Sequence, residues 1–194
     1  MPPRIRFVPG VALVLSILLS GCYTRGSLGY ARTLESEGNN LVNLELAAGF
    51  GDLREPSEGL WPEAAEVSTR LSAANPGRVG LGGSLLWAPS AGWEQEWTPT
   101  IRAGLYPVQM EIRDDTSSLG DYLLSATGFV ELGLLSYSTQ ERQSRGIFTA
   151  GLGFEYTHLF GASSRYSSYP AVFLQLGWGY SLSSKPGSQD ATEK

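Results

Sequence analysis

The side chains that most often carry chemistry are scarce in this chain. His158 is the only histidine and Cys22 the only cysteine among 194 residues. Zinc sites take three or four converging nitrogen or sulfur ligands, so one histidine and scattered carboxylates predict no metal site. By alternation, His158 falls on the apolar side of its segment, whereas Glu155 falls on the other side. The sequence therefore predicts no catalytic centre and no cofactor, and we expect a protein that is not an enzyme.

Five charged side chains stand singly on segment faces made mostly of glycine, serine, threonine and alanine. They are Glu45, Arg70, Arg102, Glu131 and Glu155. If these faces are enclosed, an unpaired charge is costly, so opposite charges are expected to pair. We therefore predict a charge network inside a lumen. The alternative is that some of the five lie in water near the rims.

The segments that position these residues show the alternation of β-strands. From residue 41 onward, apolar residues recur at every second position in successive segments, which are separated by Gly-, Pro-, Asn- and Asp-rich stretches. No helix is predicted after Cys22. We count about eight strands, nearly all neighbours along the chain, which predicts an all-β fold: an antiparallel up-and-down β-barrel. Pro107 should break or bulge its strand, because proline cannot donate to a ladder.

Two kinds of barrel fit this alternation. A soluble barrel has a wet outer face rich in Lys, Glu and Thr, whereas a membrane barrel turns its apolar face to lipid and its other face to the lumen. Here the non-apolar face is mostly small, and only 17% of the chain is charged, which favours the membrane barrel. Aromatic residues near strand ends fit a membrane interface, with ordinary core packing as the alternative; they are Trp87, Tyr137, Tyr156, Trp178 and Tyr180.

The start of the chain has the order of an export signal. Arg4 and Arg6 precede a short apolar run that ends at Leu19-Ser20-Gly21-Cys22. This pattern resembles the bacterial lipoprotein signal, in which the cysteine is acylated and becomes the first residue. The resemblance implies lipidation of Cys22. Because Tyr23 follows, and not aspartate, it also implies the outer membrane.

The sequence divides into four predicted segments. Residues 1–21 are the signal peptide, 22–40 a lipid-anchored tether or a weak first strand, 41–183 the barrel, and 184–194 a disordered tail. The mature chain carries 12 basic and 19 acidic residues, once Arg4 and Arg6 are removed. A nucleic-acid partner would need a basic stripe, so none is expected. With Cys22 as the only cysteine, no disulfide is expected either.

The last predicted strand carries a second resemblance. It matches the terminal-strand signal of proteins that the outer-membrane barrel assembly machinery inserts, through Gln175, Gly177, Tyr180 and Leu182. In those proteins the signal usually ends the chain, whereas here twelve residues follow Leu182.

The environment of His158 is a further candidate for chemistry. Some outer-membrane barrel enzymes that deacylate lipopolysaccharide use a histidine and a serine two residues later. Here the residue two positions after His158 is Phe160, so the sequence departs from that pattern.

Together these features predict an outer-membrane β-barrel lipoprotein with a structural or accessory role in a cell-envelope complex. Its expected partners are membrane lipid, through the acyl anchor and the bilayer itself, and an envelope protein that the sequence does not identify. The alternative is a lipid-tethered soluble barrel that binds a small hydrophobic ligand, as a lipocalin does. The first interpretation requires an apolar outer band, and the second requires an apolar cavity.

Overall fold

The chain forms a closed antiparallel barrel of eight strands in a computed structural model. The structure describes residues 23–35, 38–51, 61–73, 77–88, 97–112, 122–137, 145–160 and 168–181. The predicted signal peptide, Cys22, Leu182 and the predicted tail lie outside these residues. The predicted all-β fold, an up-and-down barrel of about eight strands, is confirmed.

Each strand pairs with its neighbours along the chain, and β1 pairs with β8 to close the barrel. The strands are β1 (Tyr23–Thr33), β2 (Asn40–Gly51), β3 (Ala64–Ala73), β4 (Gly77–Trp87), β5 (Trp97–Ile112), β6 (Tyr122–Tyr137), β7 (Arg145–Phe160) and β8 (Ser168–Ser181). We call the end at which β1 begins and β8 ends the terminal end, and the opposite end the distal end. Among the described residues, no helix is long and apolar enough to cross a membrane.

The first strand is the element on which the sequence allows two interpretations, a tether or a strand over residues 22–40. The structure has a strand, β1, with ten paired positions to β2 and eleven to β8. Its outward face has few large apolar side chains, Leu28 and Tyr30 among them. The pairing on both sides therefore stabilises this strand more than its own hydrophobic pattern does.

The interruption expected at Pro107 is a bulge. The register of β5 shifts by one residue against both neighbours, between Leu81 and Gly83 of β4 and between Tyr106 and Gln109 of β5. An extra residue in one strand reverses the alternation beyond it. Tyr106 and Gln109 therefore both point inward and are buried, although they are three positions apart.

The strands wind around the barrel axis with a large stagger. Following paired positions once round the barrel from Thr24 leads back to Leu34, the residue after β1, ten residues further along. A stagger of this size tilts the strands by roughly 35–45° and leaves an interior just wide enough for side chains. Side chains that are far apart in sequence therefore meet across the lumen.

The outward positions form an apolar band around the barrel. Large hydrophobic side chains are exposed on every strand; Leu132, Leu152 and Leu174, for example, are 64%, 63% and 53% exposed. At the terminal end this band ends in exposed aromatic side chains, among them Trp97 and Trp178. The inward positions are buried and largely polar.

Candidate functional site

Among the described residues, the buried charged side chains are concentrated in the lumen. Glu45 lies at the centre of this group of charges. The Glu45 carboxylate is 2.9 Å from Arg25 Nη2, 3.5 Å from Arg70 Nη2 and 2.7 Å from Arg102 Nη2. It also accepts a hydrogen bond of 2.7 Å from the Tyr106 hydroxyl. Glu45 is 2% exposed, so these contacts replace water as its solvation.

A second carboxylate joins the same arginines toward the terminal end. Glu66 is 3.1 Å from Arg25 and 3.4 Å from Arg102, and it accepts hydrogen bonds from Tyr23 and Ser84, both at 2.9 Å. Alternation along β3 places Glu66 on the same face as Arg70, four positions further on. The two carboxylates and the three arginines thus share one continuous set of contacts.

The network continues toward the distal end through Arg70. Its guanidinium lies 2.6 Å from Glu155, which is also 3.9 Å from Arg78. It also lies over the Tyr106 ring, at 4.5 Å from the ring centroid. Because an aromatic face attracts a cation, this stacking adds to the ion pairs at a desolvated site.

All five charged residues predicted for the lumen are buried and connected. Arg102 completes the set by contacting Glu131 at 3.2 Å. The predicted set lacks Arg25, Glu66 and Arg78, which bring this network to four arginines and four glutamates. All three stand on the inward parity of their strands, but alternation could have identified only Arg78, because the local patterns of β1 and of the start of β3 are weak.

Gln175 belongs to this network as well. With its amide oxygen turned toward the arginines, it accepts hydrogen bonds from Arg25 Nη1 at 2.9 Å and Arg102 Nη1 at 3.3 Å. In the strand predicted to resemble an assembly signal, Gln175 and Gly177 face inward, whereas Tyr180 faces outward and is exposed. The fourth residue of that pattern, Leu182, lies outside the described residues.

Inward glycines make room for the large side chains of neighbouring strands. A Cβ at Gly49 would overlap the Tyr23 ring, and one at Gly151 would overlap the Glu131 carboxylate. A Cβ at Gly104 would come within 2.6 Å of the Phe129 ring. The glycines thus permit a lumen filled by side chains.

The terminal end of the lumen is closed by apolar side chains. They form one buried cluster: Tyr23, Ala64, Leu86, Leu135 and Ile147. Between this cluster and the charges lies a cavity of about 20 Å³, which is room for one water molecule. At this level, the lumen between the apolar cluster and the charges has no room for a hydrophobic ligand.

His158 lies on the outer face near the distal end, as alternation predicts. Its Nδ1 and the Ser168 hydroxyl oxygen are joined by a hydrogen bond of 2.8 Å, and its ring meets Phe160 edge-on at 5.2 Å. Serine hydrolases also orient the second imidazole nitrogen and bind an oxyanion. Within the described part of the chain, His158 has this hydrogen bond and no carboxylate contact, so the geometry is that of a surface pair.

The aromatic residues predicted for strand ends are distributed over both ends of the barrel. Trp178 and Tyr180 are exposed at the terminal end, and Trp87 is half-buried there; Tyr156 is exposed toward the distal end. The side chain of Tyr137 lies outside what the structure describes.

Among the described residues, no group of three or more His, Cys, Asp or Glu side chains is arranged to hold a metal ion.

The fold and the lumen define a class: a small up-and-down β-barrel with an apolar exterior and a filled, charged interior. No protein-family model matches the chain, and no curated protein matches its sequence. Among solved structures, it is similar to the neisserial surface protein A, with a TM-score of 0.55 and 12% sequence identity over 83% of this chain and 96% of that one. At this identity, the likeness shows the shared fold.

Proposed function

We propose that this chain is an outer-membrane β-barrel lipoprotein with a structural or accessory role in a cell-envelope complex, and that it has no enzymatic activity. One observation carries the proposal: the apolar face of every strand is turned outward, and the charged face is turned inward. This is the arrangement of a barrel whose solvent is lipid.

The exterior supports a membrane environment. Exposed contiguous apolar patches on soluble monomers rarely exceed a few hundred Å², whereas here exposed leucines, valines and aromatics recur on every strand. In water, such a surface would drive association. In a bilayer, the same surface is solvated by acyl chains, and the aromatic residues at the terminal end lie where an interface favours them.

The interior argues against the alternative, a tethered carrier of a hydrophobic ligand. Such a carrier needs an apolar cavity, typically of several hundred Å³. The described lumen instead holds the charge network and a cavity of about 20 Å³. Its filled state also supports a role that does not depend on solute passage.

The lengths of the segments that connect the strands support the accessory role. With an even number of strands, both termini share one end, and a lipid on Cys22 would place that end at the periplasmic leaflet. The terminal-end connections have 12, 9 and 7 residues, against 6, 3, 9 and 7 at the distal end. Membrane barrels usually have short periplasmic turns. We infer that a periplasmic partner would meet the barrel at this end, where the connecting segments are longer.

The proposal is tested with a Cys22→Ala variant exported by a different, cleavable signal. Isolated outer membranes are washed with carbonate and high salt, and the retained protein is run on a gel before and after boiling. We expect the variant to stay in the membrane and to migrate faster unheated, because the barrel itself spans the bilayer. Release as a soluble protein would refute the membrane barrel. Absence of acyl label on the unmodified chain would refute the lipoprotein.

A further inference from the structure

The outer face of the barrel has an open pocket at the terminal end, with a volume of about 270 Å³. Ligand pockets have volumes of roughly 300–1,000 Å³, whereas the cavity in the lumen has about 20 Å³. The pocket lies where β6 and β8 end and β7 begins. Its outward-facing residues are Ser136, Gly146, Phe148, Trp178 and Tyr180. We call these five residues the aromatic pocket.

Strand pairing brings three aromatic rings together in the aromatic pocket. Tyr180 is paired with Gly146, and Phe148 is paired with both Trp178 and Ser136. Because Gly146 has no side chain, the space beside Tyr180 is not filled from β7. Phe148, Trp178 and Tyr180 are 41%, 58% and 61% exposed, so a ligand can reach all three rings.

The chemistry of the aromatic pocket suits a cation. The faces of aromatic rings carry a negative potential, and cages built from such rings recognise alkylammonium ligands. In the lumen the chain supplies its own cations, since Arg70, Arg78 and Arg102 lie over rings at 4.5, 4.8 and 4.7 Å from the centroids. The five residues of the aromatic pocket are uncharged, so a cation there would come from a ligand.

The place of the pocket indicates the source of that cation. The outer face is the one that the membrane barrel proposed above turns to lipid, and this step rests on that proposal. Tryptophan and tyrosine favour the level of the lipid headgroups. The next two outward residues of β8, Leu176 and Leu174, are apolar and exposed. They would contact the acyl chains of a lipid whose headgroup lies at Trp178.

We propose that the aromatic pocket binds the ammonium group of a phospholipid headgroup in the leaflet at the terminal end. The ammonium lies against the faces of Phe148, Trp178 and Tyr180, and the acyl chains follow the apolar band of β8. A phospholipid whose headgroup ends in an uncharged alcohol has no cation for the rings and binds less.

Competition between lipids tests whether the ammonium is recognised. The full chain is purified in detergent and mixed with equal amounts of phosphatidylethanolamine and phosphatidylglycerol that have the same acyl chains. Native mass spectrometry then counts the lipids bound to the folded barrel. We expect phosphatidylethanolamine to be bound roughly three- to tenfold more often, the ratio that one or two exposed cation–π contacts provide. Phosphatidylcholine, whose cation has no N–H group, should be bound as well as phosphatidylethanolamine, because the rings attract the charge.

Three variants locate the preference in the pocket. Trp178→Leu with Tyr180→Leu removes two rings and should lower the ratio several-fold, whereas Trp178→Phe with Tyr180→Phe keeps the ring faces and should keep most of the preference. Phe154→Leu with Tyr156→Leu is the matched control, since it removes two exposed rings of β7 outside the pocket, and it should leave the ratio unchanged. All three keep the net charge of the parent, so general repulsion of the anionic lipid stays the same. The heat-dependent gel shift verifies that each variant is folded.

Equal binding of the three lipids by the unmodified chain would overturn the proposal while leaving the membrane barrel intact. An unchanged ratio in the folded leucine variant of Trp178 and Tyr180 would overturn it too. So would an equal loss in the phenylalanine variant or in the matched control, because the rings of the pocket would then not be the cause. Release of the barrel by the carbonate wash would instead refute the proposed function on which this inference rests.

Discussion

Replacement of Glu45 should destabilise the barrel more than any other single change in the lumen. Its carboxylate contacts Arg25, Arg70 and Arg102 at 2.9, 3.5 and 2.7 Å and accepts a hydrogen bond from Tyr106. Removing one partner of a buried ion pair costs about 3–5 kcal/mol, because the remaining charge is left uncompensated. We expect Glu45→Ala to lower the free energy of unfolding by that amount.

Glu45→Gln separates charge from shape. The amide keeps the size of the side chain and one acceptor, so it should cost less, about 2–3 kcal/mol. Urea unfolding of the barrel in lipid vesicles, followed by tryptophan fluorescence and by the heat-dependent gel shift, measures both variants. The matched control is Glu35→Gln at the distal rim, where the same chemical change should stay within about 0.5 kcal/mol.

A double variant tests whether charge balance is the cause. Glu45→Gln with Arg102→Gln removes one charge of each sign and leaves three arginines facing three glutamates. Its cost should fall below the sum of the single variants by about 1–3 kcal/mol, as expected for contacting residues. Additive costs, or a Glu45→Ala variant within about 0.5 kcal/mol of the parent, would refute the idea that paired charges stabilise the lumen.

Three further changes probe packing, hydrogen bonding and the outer face. Gly49→Ala places a methyl group against the Tyr23 ring in the lumen and should cost about 1–3 kcal/mol by overpacking. Gly128→Ala on the open outer face should be neutral or should stabilise the barrel by about 0.4–1 kcal/mol. The midpoints of urea unfolding compare the two variants. Tyr106→Phe removes the hydroxyl that donates to the central carboxylate and accepts from a serine. It should cost about 1–3 kcal/mol, and an unchanged midpoint would contradict the hydrogen bond. Leu132→Arg should cost about 2–4 kcal/mol in vesicles if its position faces the bilayer interior, against about 0–1 kcal/mol for Asn40→Arg at the rim. Equal costs for those two would argue against a membrane-facing band.

Most of the fold is predictable because the period of two is a local property. Outward Leu, Val and Ile at alternate positions identify β2 and β4 to β8 from their own residues. Pro107 marks the bulge, because the chemistry of proline does not depend on the rest of the chain. β1 is harder to predict, because few of its outward side chains are large and apolar. Its pairing with β2 and β8, which no local pattern shows, is what stabilises it.

The site is predictable only in part, for the same reason. Glu45 and Arg102 stand out as single charges on small faces, whereas Arg25 lies in a segment with no clear strand pattern. Glu66 precedes the apolar run that marks β3, so its inward parity is not evident from that run. The contacts of Glu66 with Tyr23 and Arg102 depend on closure of the barrel, which no local pattern contains.

By itself, the sequence determined which side chains share a face of the sheet, because alternation assigns each residue to one of two faces wherever a strand forms. It also predicted a closed, small-residue lumen with opposite charges inside it. Only the tertiary structure decided which charges meet. Arg70 of β3 and Glu155 of β7 are 85 positions apart in the sequence, yet their side chains are 2.6 Å apart. They meet because closure and stagger of the strands place these two positions at the same height on opposite sides of the lumen. Register and closure are properties of the whole sheet, so the identity of each ion pair exists only once all eight strands are in place.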